Sequence, residues 1–150
     1  MVSDGLSANA VHDNLPRLLG VLVDALETRK IRVGQPLLVR YGRVKLAEPI
    51  AAALGAELVV YLLGERPGGD AQAARSLSAY LVYHPTEVPS IPTQKGGNAR
   101  PLFEYTVISN IHDGGLPPLE AGSLIAEKIF QILAFRAAGN RLESLLERAD

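Results

Sequence analysis

The sequence predicts an α/β domain in which helices pack against a mostly parallel sheet. Apolar runs that are typical of buried strands alternate with segments whose apolar residues recur at helical spacing. Two of the strands, Leu37–Arg40 and Leu58–Leu63, flank a short helical segment, as in a βαβ unit. The core has to be largely aliphatic, because hydrophobic residues make up 47% of the chain and aromatic residues only 5%.

The chain begins with the pattern of a short strand followed by a long helix. Met1–Ser3 has the character of a strand end, and Ser7 or Asn9 can cap the helix that follows. Pro16 predicts a kink or a restart of that helix near Asn14. The predicted apolar face of the helix consists of Val11, Leu15, Leu18, Leu22 and Leu26.

The middle of the chain predicts the βαβ unit and one further strand. Ala47–Leu54 has the pattern of a helix that ends at Gly55, where glycine is favoured just past the last turn. This helix should form a right-handed crossover into the continuous apolar strand Leu58–Leu63. Asp70–Arg75 predicts a single helical turn, and Leu77–Tyr83 alternates well enough for another strand.

The last third of the chain begins with a long loop rich in proline and glycine, about residues 84–104. Tyr105–Ile108 restores a short strand, and Pro117–Pro118 leads into a long helix with Gly139 as its expected stop. A short helix follows at residues 142–146, and we expect residues 1–150 to form one domain. The buried stripe of the long helix is predicted at Leu124, Ile125, Ile129, Ile132 and Leu133.

Composition excludes several classes of function. The net charge is −1 and the isoelectric point about 6.3, so the chain lacks the basic field of a nucleic-acid-binding protein. Cysteine is absent, which rules out disulfides and thiolate chemistry. No apolar run reaches the roughly 18–20 residues that span a bilayer, and no signal-peptide pattern is visible. We therefore expect a soluble intracellular domain.

Three strand ends run directly into polar turns that contain glycine: Asp4–Ser7, Val39–Lys45 and Gly64–Gly68. The carboxyl ends of parallel strands converge on one crevice, where ligands bind in open α/β sheets. For the first turn a structural role as turn and helix cap is favoured. The second turn carries Arg40, Arg43 and Lys45, and two interpretations are equally good: these cations bind a ligand, or they are solvated surface charges. For the third turn, which contains Glu65, a functional role is favoured because exposed ion pairs contribute little stability.

Independent catalytic machinery is not apparent. The sequence has no Gly-x-Gly-x-x-Gly fingerprint, no phosphate-binding Gly-Lys-Ser/Thr loop and no Gly-x-Ser-x-Gly elbow. His12, His84 and His112 share no metal-ligand spacing. The residues thus predict a ligand crevice with no catalytic residue and no metal site of its own.

Four strings occur in one known family in the same order, and the chain resembles that family over nearly its whole length. They are Val2–Ser7 (VSDGLS), Val39–Lys45 (VRYGRVK), Gly64–Gly68 (GERPG) and Ile108–His112 (ISNIH). The segments 77–80 and 114–118 match as well. The family is the small (light) subunit of ethanolamine ammonia-lyase, and the part resembled is its Rossmann-like C-terminal domain.

This resemblance implies a role in a complex. The family's large subunit holds the substrate, and adenosylcobalamin lies between the two subunits during conversion of ethanolamine to acetaldehyde and ammonia. It implies cofactor contacts at Val44, Glu65 and Val107, and no activity for this chain alone. It also implies a hetero-oligomer, located in the cytoplasm or within a bacterial microcompartment.

The chain departs from the family in three ways. Val107 stands where the family has a cysteine, the family's long N-terminal segment has no counterpart before Met1, and the 84–104 loop looks longer. These departures favour an alternative, a stand-alone binding module of the same fold that has lost both catalysis and cobalamin binding. The intact strand-end strings favour the subunit.

Overall fold

The computed structural model describes residues 1–65, 75–85 and 102–149, in which one mixed sheet carries helices on both faces. The strands are β1 (Val2–Ser3), β2 (Leu38–Val39), β3 (Leu58–Glu65), β4 (Ser76–Tyr83) and β5 (Glu104–Ile111). The helices are α1 (Ala8–Thr28), α2 (Ala47–Leu54), α3 (Pro118–Phe135) and α4 (Gly139–Leu146), and Val44–Leu46 form a 3₁₀ turn. Within these residues, no helix has both the length and the apolar character needed to cross a membrane.

The sheet changes direction halfway across. Its order is β2-β1-β3-β4-β5, with β1 parallel to both of its neighbours and with antiparallel pairing between β3 and β4 and between β4 and β5. The prediction of a mostly parallel, Rossmann-like sheet is therefore right for the first half only. A parallel crossover needs about a dozen residues or more. The connection between β3 and β4, residues 66–75, is too short for one and returns the chain antiparallel.

The predicted strand-helix-strand unit is present as β2, α2 and β3, with β1 inserted between the two strands. The bounds of α2 are those predicted, and Gly55 follows it in the left-handed conformation at φ +59°. The strands predicted at 77–83 and 105–108 are confirmed as β4 and β5, and β5 continues to Ile111. The predicted helical turn at 70–75 and most of the loop at 84–104 lie outside the described residues.

Helix α1 runs through Pro16 without a break, so the predicted restart near Asn14 is wrong. Ser7 is the N-cap, and its Oγ accepts a hydrogen bond from the Ala10 backbone N–H at 3.2 Å. The Asn14 side chain donates to the carbonyl oxygens of Ala10 and Arg75, each at 2.8 Å. These bonds tie the turn before the proline to the start of β4, and packing of α1 on the sheet offsets the hydrogen bond that proline cannot make. The buried face accordingly consists of Ala10, Asn14, Leu18, Leu22 and Leu26.

The main core lies between the sheet and the layer formed by α1, α3 and α4. Helices α1 and α3 approach closely at Gly122, where a Cβ would lie 2.7 Å from the carbonyl oxygen of Leu18. The stripe predicted for α3 is correct at its isoleucines and wrong at Leu124, which is 39% exposed. The buried residues of α3 are Pro118, Ala121, Gly122, Ile125, Ala126, Ile129 and Ile132.

Gly139 begins α4 and does not end α3, contrary to prediction. Helix α3 ends at Phe135, and Arg136 takes the left-handed conformation at φ +51°. Gly139 has φ +57°, and its N–H donates to Thr106 Oγ1 at 2.9 Å. A Cβ there would lie 2.6 Å from the Tyr105 carbonyl oxygen, so glycine allows α4 to sit against β5.

A smaller core lies on the opposite face of the sheet, under α2. It contains Ala47 and Ala51 of α2 together with Val59, Tyr61, Leu63 and Val82 of β3 and β4. Helix α2 contacts these two strands, whereas Val107 on the same face of β5 is 50% exposed. Among the described residues, the α2 face of the sheet therefore carries a half-exposed apolar side chain on β5.

Candidate functional site

Because β1, β2 and β3 are parallel, the turns after them lie at one edge of the sheet. Asp4 Oδ1 accepts a hydrogen bond from the Tyr41 backbone N–H at 2.6 Å, and Ser3 Oγ accepts one from the Gly42 N–H at 2.9 Å. These bonds fasten the turn after β2 to the end of β1. With Ser7 as the cap of α1, the structural interpretation of the first turn is confirmed.

Glu65 ends β3 and points to the α2 face of the sheet, where two hydroxyl groups of β4 meet its carboxylate. Ser78 Oγ donates to Glu65 Oε2 at 2.9 Å, and the Tyr80 hydroxyl donates to Oε1 in a short hydrogen bond. Ser78 is buried, while Glu65 and Tyr80 are half-buried. The carboxylate is thus held at both oxygens. Residues 66–68 of the predicted turn lie outside the described part of the chain.

Val107 lies directly opposite Tyr80 in the β4–β5 pairing. Tyr80 therefore joins the two predicted contact residues: its hydroxyl bonds Glu65, and its backbone pairs with the exposed Val107. Val44, the third predicted contact, is the first residue of the 3₁₀ turn after β2 and packs in part against the core under α2. Glu65 on β3 and Val107 on β5 thus lie on the same face of the sheet with β4 between them, and Val44 lies on that side of the sheet beyond β1.

The electrostatics of the site keep Tyr80 protonated. Burial, and then the hydrogen bond to Glu65 and its negative charge, raise the pKa of Tyr80 to about 12. The protonated phenol and the serine hydroxyl both donate hydrogen bonds to the carboxylate. Glu65 is therefore presented as a hydrogen-bond acceptor.

A second tyrosine–carboxylate pair lies on the same face, beside α2. The Tyr105 hydroxyl donates to Glu48, and burial together with that bond raises the pKa of Tyr105 to about 12. Lys45 donates to Glu48 Oε1 at 2.7 Å and lies 5.0 Å from the Tyr105 ring centre. These two donors hold the pKa of the Glu48 carboxyl below its ordinary value. Lys45 is thereby engaged within the fold, whereas the guanidinium of Arg40 lies over the exposed ring of Tyr41.

The three histidines lie apart in different settings. His12 is exposed on α1 beside Asp13, and the ring of His84 stacks on Phe103 with the centroids 4.7 Å apart. His112 contacts Asn110 Oδ1 through Nε2 at 2.9 Å and accepts from the Gly114 N–H through Nδ1 at 3.1 Å. In the part of the chain described, no three His, Cys, Asp or Glu side chains could together hold a metal ion.

Sequence reasoning missed Ser78 and Tyr80. A signal was present, since Ser76, Ser78 and Tyr80 place polar groups on one face of an otherwise apolar strand. The sequence did not provide the register between β3 and β4. That register places Glu65 opposite Ser76, so its carboxylate can reach Ser78 and Tyr80, the next two residues of β4 on the same face.

Comparison with known families identifies the group to which the chain belongs. The family model described as ethanolamine ammonia-lyase light chain (EutC) matches residues 1–143. The match includes every strand in the described part of the chain, the turns that follow the parallel strands, and the residues Glu65, Tyr80 and Val107. The chain belongs to the ethanolamine ammonia-lyase light chain family.

Proposed function

We propose that this chain is the subunit of an ethanolamine ammonia-lyase that contacts adenosylcobalamin at the interface with the large subunit. The complex converts ethanolamine to acetaldehyde and ammonia, and the chain alone is inactive. The observation that carries the proposal is the Glu65 carboxylate, held by two hydroxyl groups on the face of the sheet that also carries the exposed Val107. Membership of the light chain family supports it.

The chemistry of these residues suits the periphery of a corrin. A corrin carries amide side chains and methyl groups around its ring. Glu65 can accept hydrogen bonds from amide N–H groups, while Val107 and the remaining exposed surface of Val44 offer apolar contacts. Because Val107 is 50% exposed, a bulky ligand or partner can cover it without any rearrangement of the sheet.

In the proposed complex, this chain binds the cofactor and the cofactor supplies the chemistry. Bound adenosylcobalamin supplies the radical chemistry that the reaction requires. Glu65 would orient the cofactor by accepting hydrogen bonds, and Val107 and Val44 on the same face would offer it apolar contacts. Adenosylcobalamin and the large subunit are thus the two partners that this face of the sheet would meet.

The test is reconstitution of the full chain with an ethanolamine ammonia-lyase large subunit, followed by adenosylcobalamin titration and an acetaldehyde assay. We expect Glu65→Ala to weaken cofactor binding about tenfold or more, since a hydrogen bond to a charged group contributes about 1.5–3 kcal/mol. Glu48→Ala is the matched control. It removes a carboxylate that also accepts a tyrosine hydroxyl on this face, and we expect less than a threefold change (about 0.6 kcal/mol) because the residue lies on α2.

Two results would contradict the proposal: a complex that binds cofactor equally well with and without the Glu65 carboxylate, or no complex at all. The second result would favour the alternative of a stand-alone binding module. That alternative draws its support from Val107, which stands where a cysteine is expected and leaves an apolar side chain half exposed.

A further inference from the structure

We infer that Tyr80 and Ser78 are positioning residues that lock Glu65 as an acceptor, so that the site selects amide-bearing ligands over carboxylate-bearing ones. This inference rests on the proposed cofactor role of Glu65 and goes beyond it. It assigns the selectivity of the contact to two residues of β4 that need not touch the ligand.

The two hydroxyl groups bind different oxygens of the same carboxylate. Tyr80 donates to Oε1 and Ser78 donates to Oε2 at 2.9 Å. A glutamate at the end of a strand has three rotatable side-chain bonds, and ordering it on binding costs conformational entropy. With both oxygens already engaged, the side chain is ordered before the ligand arrives, which is the general benefit of preorganisation.

The same two bonds decide which groups the carboxylate can recognise. Tyr80 and Ser78 both donate to Glu65, so each carboxylate oxygen already acts as an acceptor and keeps a further lone pair. An approaching N–H group finds an oriented acceptor. An approaching carboxylate meets a like charge that the two hydroxyls hold in place, and like charges at close range repel. A primary amide is therefore the preferred group.

The structure provides a matched control for Tyr80. Tyr105 also has a hydroxyl that donates to a carboxylate on this face, that of Glu48, and burial also raises its pKa to about 12. Removal of either hydroxyl should disturb the sheet to a similar extent. Only Tyr80→Phe removes a bond to Glu65.

The experiment uses the full chain in complex with the large subunit. The probes are adenosylcobalamin and an analogue in which one peripheral amide is hydrolysed to a carboxylate. We expect Tyr80→Phe and Ser78→Ala each to weaken adenosylcobalamin binding about three- to tenfold. We also expect each to reduce the preference for the amide form by a similar factor. Tyr105→Phe should leave both quantities within about twofold of the wild type.

The outcomes separate this inference from the proposal on which it rests. If the wild-type complex binds no cobalamin, or if Glu65→Ala has no effect, the cofactor role itself is refuted. If Glu65→Ala weakens binding while Tyr80→Phe and Ser78→Ala leave affinity and preference unchanged, only the positioning role is refuted. Equal losses for Tyr80→Phe and Tyr105→Phe, with the preference for amide retained, would also refute it by showing a merely structural effect.

Discussion

Substitution of Gly64 by alanine should destabilise the protein at the base of the candidate site. Gly64 lies in β3 immediately before Glu65, and the turn between β1 and α1 crosses directly over it. Its carbonyl oxygen accepts a hydrogen bond from the Leu6 N–H at 2.8 Å. A Cβ at Gly64 would lie 2.2 Å from the carbonyl oxygen of Ser7 and 2.5 Å from that of Asp4.

The size of the effect follows from what the methyl group would meet. Both contacts are with backbone oxygens, which cannot rotate away as a side chain can, and both distances are well below the 3.0 Å that real Cβ atoms respect. Inserting atoms into a packed region commonly costs about 1–3 kcal/mol, and rigid neighbours place Gly64→Ala near the upper end. At about 2–4 °C per kcal/mol for a chain of this size, the melting temperature should fall by about 6–12 °C.

The assay is thermal and urea unfolding followed by circular dichroism, with Gly20→Ala as the control. Gly20 lies in α1, and a Cβ there would meet nothing within 4 Å. The control should therefore gain about 1 kcal/mol from the higher helix propensity of alanine. A Gly64→Ala variant as stable as the wild type, or stabilised to the same extent as Gly20→Ala, would show that the β1–α1 turn yields readily and would refute the reasoning.

Two further predictions concern carboxylates outside the cofactor contact. Glu104→Ala should lower the free energy of unfolding by about 2–3 kcal/mol in urea titrations. It removes a buried carboxylate that accepts from Ala138 N–H at 2.8 Å and from Arg141 Nε at 3.0 and 3.1 Å. Glu143→Ala, which breaks an exposed pair, should cost less than about 1 kcal/mol, and equal losses would contradict this. Lys45 and then Tyr105 lower the pKa of Glu48, so its stabilising contribution is present above its ordinary pKa of about 4.5 and is lost as the pH falls below that value. Glu48→Gln should therefore flatten the acid limb of the stability profile, and an identical acid limb in both proteins would count against the pair.

Local pattern sufficed for elements whose signals lie within a few residues. The bounds of α2 could be predicted because helical spacing ends at Gly55, and glycine is the residue that most readily takes the left-handed φ of +59° found there. The cap at Ser7 was one of two candidates, with Asn9, because both side chains carry an oxygen that can accept from a backbone N–H in the first turn. Pro16 and Gly139 misled, because their outcome depends on distant partners: Asn14 binds the Arg75 carbonyl, and Gly139 sits against β5.

In the candidate site, too, some residues could be predicted from local sequence and others could not. Glu65 could be singled out because a charged, glycine-bearing turn after a buried strand is visible in the sequence. Its partners could not be named, because Ser78 and Tyr80 become neighbours of Glu65 only through antiparallel pairing and register. A shift of one residue would turn both hydroxyl groups to the opposite face of the sheet.

The sequence by itself determined the α/β class, the aliphatic core, the short helix α2 and the resemblance to the light chain family. Each of these depends on composition, on spacing within one segment or on a string of adjacent residues. Only the tertiary structure decided that β4 and β5 run antiparallel and that α1 continues through Pro16. It also decided that Tyr80 bonds Glu65 and lies opposite Val107, because strand direction, register and long-range hydrogen bonds are set by the whole packed chain.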